Sequence, residues 1–361
     1  MYKVHIRPHW ELQTPGGTRL PARLIELLLA VHATGSLAAA CRQIDLSYRY
    51  AWGVLQQARR QFGQPLLRAT RGRGAQLTPI GERLVWADKR IAARLSPTLD
   101  SLATELEAEL QRSLRREVAP LRVHASHGFG VETVRRFMAD ADVPLDLKYR
   151  SPDDALTALR NDACDLAGLH LPIGELEADL LRHYLGRLDL SRDRVVHLAM
   201  RRQGLILPPG NPKRLHTLAD LLRDDVRFIH RQPGSGTRLL LECMLARQAL
   251  QVSRIHGCDV EELTHAAVAA YVASGLADAG FGLEPPARRY GLDFIPVVTE
   301  HYFFVCSSAT LDSGRLRPLL ELLASDGLRR ELGLLPGYDP SYCGQVQRLE
   351  DAFLSIHRLL R

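Results

Sequence analysis

The chain has 361 residues, 46% of them hydrophobic, and a net charge of +6 that is unevenly spread: residues 1–95 hold 15 Lys+Arg against 5 Asp+Glu, the remainder 32 against 36. That length and apolar share suit two or three packed domains and exclude a disordered chain, while a basic quarter on a mildly acidic body is the footprint of a nucleic-acid-binding module. No run approaches the ~18 apolar residues of a membrane helix, MYKVHIRPHW has no apolar signal core, and the six cysteines lack a CxxC pair, so a cytoplasmic protein with reduced thiols is expected.

Residues 1–19 predict a short extended segment or hairpin turning at Pro15-Gly16-Gly17. His5, His9 and His32 lack ligand spacing and count as ordinary surface or core residues. Pro21 opens a helix striped by Leu24, Leu27, Leu28 and Val31 and closed by Gly35. Leu37, Ala40, Cys41 and Ile44 repeat that spacing, Asp45-Leu46 reads as a tight turn, and Ser47 is a good N-cap for the next helix. Its apolar face is expected at Tyr48, Ala51, Trp52, Leu55, Ala58 and Phe62, with Gly63 and Pro65 ending it. Two helices joined this way form a helix-turn-helix, whose second helix enters the DNA major groove. Residues 66–70 and 75–78 then flank Arg71-Gly72-Arg73-Gly74, a wing with a basic tip suited to phosphate or minor-groove contact. The DNA-facing set is Ser47, Tyr48, Arg49, Tyr50, Gln56, Arg71 and Arg73.

Thr78-Pro79 caps a long helix carrying Ile80, Leu84, Ala87 and Ile91, and Ser96-Pro97 is expected to break or kink it. Beyond, Leu99, Leu102, Leu106, Leu110 and Leu114 make a stripe that calls for a partner helix. From Leu121 strands and helices alternate. LRVHA, LDLKYR, DLAGLH, VRFIH, DAGFGL and HYFFVC read as strands, with helices opened at Val131, at Ser151-Pro152, after the 231–238 turn and at Thr264-His265. Such alternation predicts an open, largely parallel sheet.

An anion can be held where helix N-termini converge, because their first N–H groups are unpaired and the dipole is favourable. Three strand-to-helix turns have that form: Ser126-His127, Gly234-Ser235-Gly236-Thr237 and Thr264-His265. Arg231 and Arg238 flank the second and can add charge-assisted bonds. His127 and His170 lie at C-terminal strand ends, where open α/β sheets bind ligands, and read either as ligand contacts or as structural histidines. Tyr302, just after an expected crossover near Thr299, has the same two readings. Catalysis finds little support. Pro233-Gly234-Ser235-Gly236 lacks the first glycine of a nucleophile elbow, and there is no metal-ligand cluster, P-loop or dinucleotide fingerprint. No catalytic residue, cofactor or metal is expected.

SYRYAW followed by RATRGRGAQLTPIGERLV resembles the N-terminal domain of ModE-type molybdate-responsive regulators and the related LysR-type regulators, over about residues 20–95. RQPGSGTR, THAAVAAYVASGLADAGFG and LDFIPVVTEHYFFV resemble the periplasmic-binding-protein-like domain of cytoplasmic regulators related to molybdate-binding proteins, over about residues 120–350. The implied fold class is α/β with an all-α-rich N-terminal domain. It comprises a winged helix-turn-helix at 1–78, linker or dimerisation helices at 79–118, and a two-lobed type II periplasmic-binding-protein-like sensor at 119–361. Lobe one is expected at 120–200 and 299–361, lobe two at 201–298. The resemblance implies a one-component transcriptional regulator that binds double-stranded operator DNA as a homodimer or tetramer, with no membrane partner. Its effector would be a molybdate- or tungstate-like oxyanion, or alternatively formate, controlling molybdenum-related or formate dehydrogenase genes. The ligand set is then Ser126, His127, His170, Arg231, Gly234, Ser235, Gly236, Thr237, Arg238, Thr264 and Tyr302.

Overall fold

The computed structural model describes residues 3–70, 74–113 and 119–360, and their contacts divide into two units. One is Arg7–Ala93; the other holds the chain from Arg94 onward together with residues up to Ile6.

In the first unit the chain turns back at 14–17, where Thr14 O accepts from Gly17 N–H and Gln13 bridges Arg19. Helix α1 (Leu24–Thr34) ends on Gly35, left-handed at φ 64°. Helix α2 (Leu37–Gln43) starts at Ser36, whose Oγ accepts from Ala39 N–H, and Asp45 at φ 51° makes the tight turn. Helix α3 (Tyr48–Phe62) is capped by Ser47 Oγ, which accepts from Tyr50 N–H at 3.2 Å. The face of α3 in the core is Ala51, Val54, Leu55 and Ala58. Tyr48 and Trp52, expected there, are 56% and 51% exposed. Small and aliphatic side chains let α3 approach the Leu24, Leu27 and Leu28 layer, and aromatic rings in that seam would hold the helices apart.

Strands β1 (Leu67–Thr70) and β2 (Gly74–Leu77) pair antiparallel as the expected wing. Ala75 N–H donates to Gly35 O at 3.0 Å, and a Cβ on Gly74 would run into that same carbonyl. The wing is thereby seated on the end of α1. Arg71 and Arg73 lie outside the described residues. Helix α4 (Pro79–Ser113) runs 35 residues with Pro97 inside it, which corrects the expected break. An interior proline removes one backbone bond, at a cost of about 3 kcal/mol.

In the second unit β3 (Leu121–Ala125), α5 (Phe129–Asp140), β4 (Leu145–Tyr149), α6 (Pro152–Arg160) and β5 (Leu166–Pro172) build a parallel β4-β3-β5 half-sheet. Helix α7 (Glu177–Leu185) leads to β6 (Asp193–Leu207), followed by β7 (Phe228–Arg231), α8 (Gly236–Arg247), β8 (Gly257–Glu262), α9 (His265–Ala273), β9 (Ala279–Leu283), α10 (Glu284–Arg289) and β10 (Asp293–Ser307). The strand order is β4-β3-β5-β10-β6-β9-β7-β8. Strands β9, β7 and β8 are parallel to one another, but β10 runs antiparallel to β5 and to β6, and β6 antiparallel to β9. The sheet is therefore mixed, not largely parallel. Two fifteen-residue strands, β6 and β10, run side by side from one half-sheet into the other and join them. Arg201 faces Glu300 near their midpoint.

The edge strand β4 is covered by α4. Thr104 Oγ1 donates to Leu147 O and Ser101 Oγ accepts from Tyr149 N–H, each at 3.2 Å. Cys41, Cys164, Cys243, Cys306 and Cys343 are free thiols. No single described helix is long and apolar enough to cross a membrane.

Candidate functional site

The sequence places its DNA-facing residues on α3. Ser47 is occupied in capping it. Tyr48, Arg49 and Tyr50 in the first turn are exposed, as are Trp52, Gln57 and Arg60, while Gln56 is half-buried. The start of α3 thus leaves aromatic rings and a guanidinium in water above a closed apolar core.

The second unit contains a cavity of about 420 Å³ between its two half-sheets. Strand-to-helix turns converge on it from both. Ser126 and His127 follow β3, Ser151 and Pro152 open α6, residues 231–237 lead from β7 into α8, and Leu263 and His265 lead from β8 into α9. The helix starts are fixed by their own caps: Ser151 Oγ accepts from Asp154 N–H, Ser235 Oγ from Arg238 N–H, and Thr264 Oγ1 from Ala267 N–H. Gly236 is needed for close approach, since a Cβ there would sit 2.5 Å from His170 Nε2.

Of the expected ligand set, Ser126, His127, His170, Arg231, Gly234, Ser235, Gly236 and Thr237 line this cavity. Arg238, Thr264 and Tyr302 do not. Arg238 is drawn away by Glu242 and Glu261 and also donates to Arg231 O. Thr264 is buried as the cap of α9. Tyr302 is buried behind the lining, its hydroxyl donating weakly to Ser126 O at 3.4 Å and its ring stacked near His170.

Arg201 is absent from the expected set. It is 1% exposed, lines the cavity, ion-pairs with Glu300 and lies 4.5 Å from the Tyr302 ring centroid. Glu300 also accepts from Gln203 Nε2 and pairs with His170 Nδ1 at 2.8 Å. Burial alone would raise its pKa, but the Arg201 charge and then His170 bring it down to about 2.

Arg231 differs from Arg201. Its Nε and Nη2 donate to the carbonyls of Glu262 and Leu263, while Nη1 is buried without a partner. Burial, then the Arg201 charge, lowers its pKa to about 10, which keeps it a cation at neutral pH. Other lining atoms share that condition: Ser126 Oγ, both His127 ring nitrogens, Tyr149 Oη and Gln232 Oε1 are buried and unpartnered. Burial and the Arg231 and Arg135 charges push His127 down to about 4, so its ring is neutral. His265 is pushed well down by burial and then by the Arg231 and Arg201 charges, and its Nδ1 accepts from Leu283 N–H, leaving its proton on Nε2. Buried polar groups without partners, gathered round one cation, each cost free energy until a ligand supplies a partner. Among the described residues no group of three or more His, Cys, Asp or Glu is placed to hold a metal.

The lysR-family bacterial regulatory helix-turn-helix model matches residues 22–82, and the PBP superfamily domain model matches residues 134–324. The uncharacterized protein YvgK of Bacillus subtilis is 31% identical over 202 residues, covering 55% of this chain and 64% of that protein. The molybdenum-pterin-binding protein MopB of Rhodobacter capsulatus is 36% identical over 103 residues, covering 27% of this chain and 38% of that one. The chain thus spans less than two thirds of either relative. Among solved structures, a hydrogen-peroxide-bound mutant of Corynebacterium glutamicum OxyR matches with TM-score 0.41 at 14% identity, over 83% of this chain and 90% of that one.

Proposed function

Because the chain belongs to the PBP superfamily and carries a lysR-type helix-turn-helix, we propose that it is a ligand-responsive transcriptional regulator whose cleft senses an anion. A DNA-reading head joined to a binding-protein cleft makes a regulator and not an enzyme. The observation that carries the anion is Arg231, a half-buried cation whose buried Nη1 has no partner, in one lining with Ser126 and the start of α8. A molybdate- or tungstate-like oxyanion suits that cradle, and the name of MopB points the same way. Formate is the smaller alternative, and molybdenum-related or formate dehydrogenase genes are the proposed targets. The exposed leucines of α4 fit assembly as a dimer beside its operator in the cytoplasm.

Two features favour a second reading, an organic anion. The cavity falls in the ~300–1,000 Å³ range of sites for larger ligands. A neutral His127 keeps one ring nitrogen as an acceptor, which a fully deprotonated oxyanion cannot satisfy but an N–H or O–H group can. Calorimetry on the full chain with molybdate, tungstate, sulfate, phosphate, formate and a panel of hydroxy- and amino-carboxylates decides between them. Binding of none of these anions would remove the anion-sensor reading.

A further inference from the structure

The cavity has a wall that neither half-sheet supplies. Arg94, Pro97 and Thr98, all on α4, line it. The same helix is fastened at both sides of the cleft. Ser101 and Thr104 hold it to β4, the edge strand of one half-sheet. Arg94 holds it to the end of β8, the edge strand of the other: Nε donates to Glu262 Oε2 at 3.0 Å and Nη2 to Glu262 Oε1 at 2.9 Å. Glu262 is 2% exposed, so Arg94 is the cation that makes its burial tolerable. In register, Glu262 stands beside Arg231, whose guanidinium is anchored on the Glu262 and Leu263 carbonyls. One short segment therefore joins the cation facing the cavity to the helix that closes it.

We propose that residues 94–98 of α4 form part of the ligand site, with Thr98 and Pro97 touching the ligand and the Arg94–Glu262 pair acting as a clasp between helix and far lobe. The inference rests on the cleft being the ligand site. A change in the angle between the half-sheets must either carry α4 along or open the clasp, because the helix is tied to both edge strands.

Hydrogen–deuterium exchange on the full chain tests this without a ligand. Glu262→Gln and Arg94→Gln each open the clasp and should give the same pattern. Amides of 94–104 should exchange roughly threefold to tenfold faster than in wild type, and so should the cleft turns at 126–131 and 231–237, because the cavity loses its wall. Two variants guard against either one simply failing to fold. Acceleration confined to 94–98, or a different pattern for the two variants, would overturn the clasp. Molybdate added to the wild type tests the other reading separately: failure to bind removes the oxyanion and leaves the exchange result standing.

Discussion

Arg231 and Arg238 lie on one turn of chain and end in opposite surroundings. Arg238 is neutralised by Glu242 and Glu261, whereas Arg231 meets only carbonyl oxygens and keeps a buried nitrogen for the cavity. Arg231→Gln should therefore weaken binding of the responding anion by about tenfold to a hundredfold, the loss of one charge-assisted bond. Arg238→Ala should leave that affinity within about threefold and cost about 1 kcal/mol of stability, since its ion pairs are partly solvated. Calorimetry and thermal unfolding of both variants measure the two effects. The reverse pattern would exchange the roles of the two arginines. From the sequence they are equivalent, two basic residues flanking a glycine-rich turn. Only the positions of Glu242 and Glu261 and the carbonyls of 262–263 separate them.

Helices α3 and α4 each bury one face and leave another available. On α3 the buried set is small and aliphatic, which pushes Tyr48, Tyr50 and Trp52 outward beside Arg49. Arg49→Ala should cost roughly 1–3 kcal/mol on the operator, with binding that weakens steeply as salt rises. Fluorescence anisotropy at two salt concentrations checks it; equal affinity for variant and wild type would move the DNA face elsewhere. On α4 the buried residues include Ala103, Thr104 and Ala108, while Leu95, Leu102, Leu106 and Leu110 are exposed. A leucine row in water on a helix whose opposite face is already packed is the surface through which the proposed dimer would form. Leu102→Arg with Leu106→Arg should convert the assembly to monomers in light scattering at micromolar concentration. A wild-type chain that is itself monomeric would rule out this interface.

The stability of the protein as a whole depends on pH, because the second unit buries several groups whose charge states are set by the fold. His127 and His301 are each pushed down to about 4, mainly by burial, and His265 is held well below its ordinary range. Below the ordinary histidine range the unfolded chain takes up protons that the fold refuses, so stability is lost as pH falls from about 6.5 toward 4, by up to about 1.4 kcal/mol per unit for each group. Glu300, held at about 2, acts in the same direction at lower pH, because the unfolded carboxylate protonates first. Thermal unfolding from pH 8 to pH 5 should be flat above about pH 7 and fall below pH 6.5. A midpoint that is constant down to pH 5 would mean that these rings are charged or solvated.

The local elements of this protein follow from neighbours along the chain. The caps Ser36, Ser47, Ser151, Ser235 and Thr264, the turn at Asp45 and the glycine ends of α1 and α3 all act within a few residues, and they hold wherever the chain folds. The cleft was partly legible for the same reason, since capped turns after strands gather at one end of a sheet. Pairing across long separations belongs instead to the folded molecule. Strand β6 is not among the strands read from the sequence, and it carries Arg201 and Gln203 into the core, where Glu300, ninety-odd positions away, accepts from both. Pro97 signals a helix end, yet α4 continues through it, with Arg94 bonded to Glu262 before it and Ser101 and Thr104 bonded to β4 beyond it. Partners so distant in sequence leave no local periodicity to read, and they exist only once the chain has folded.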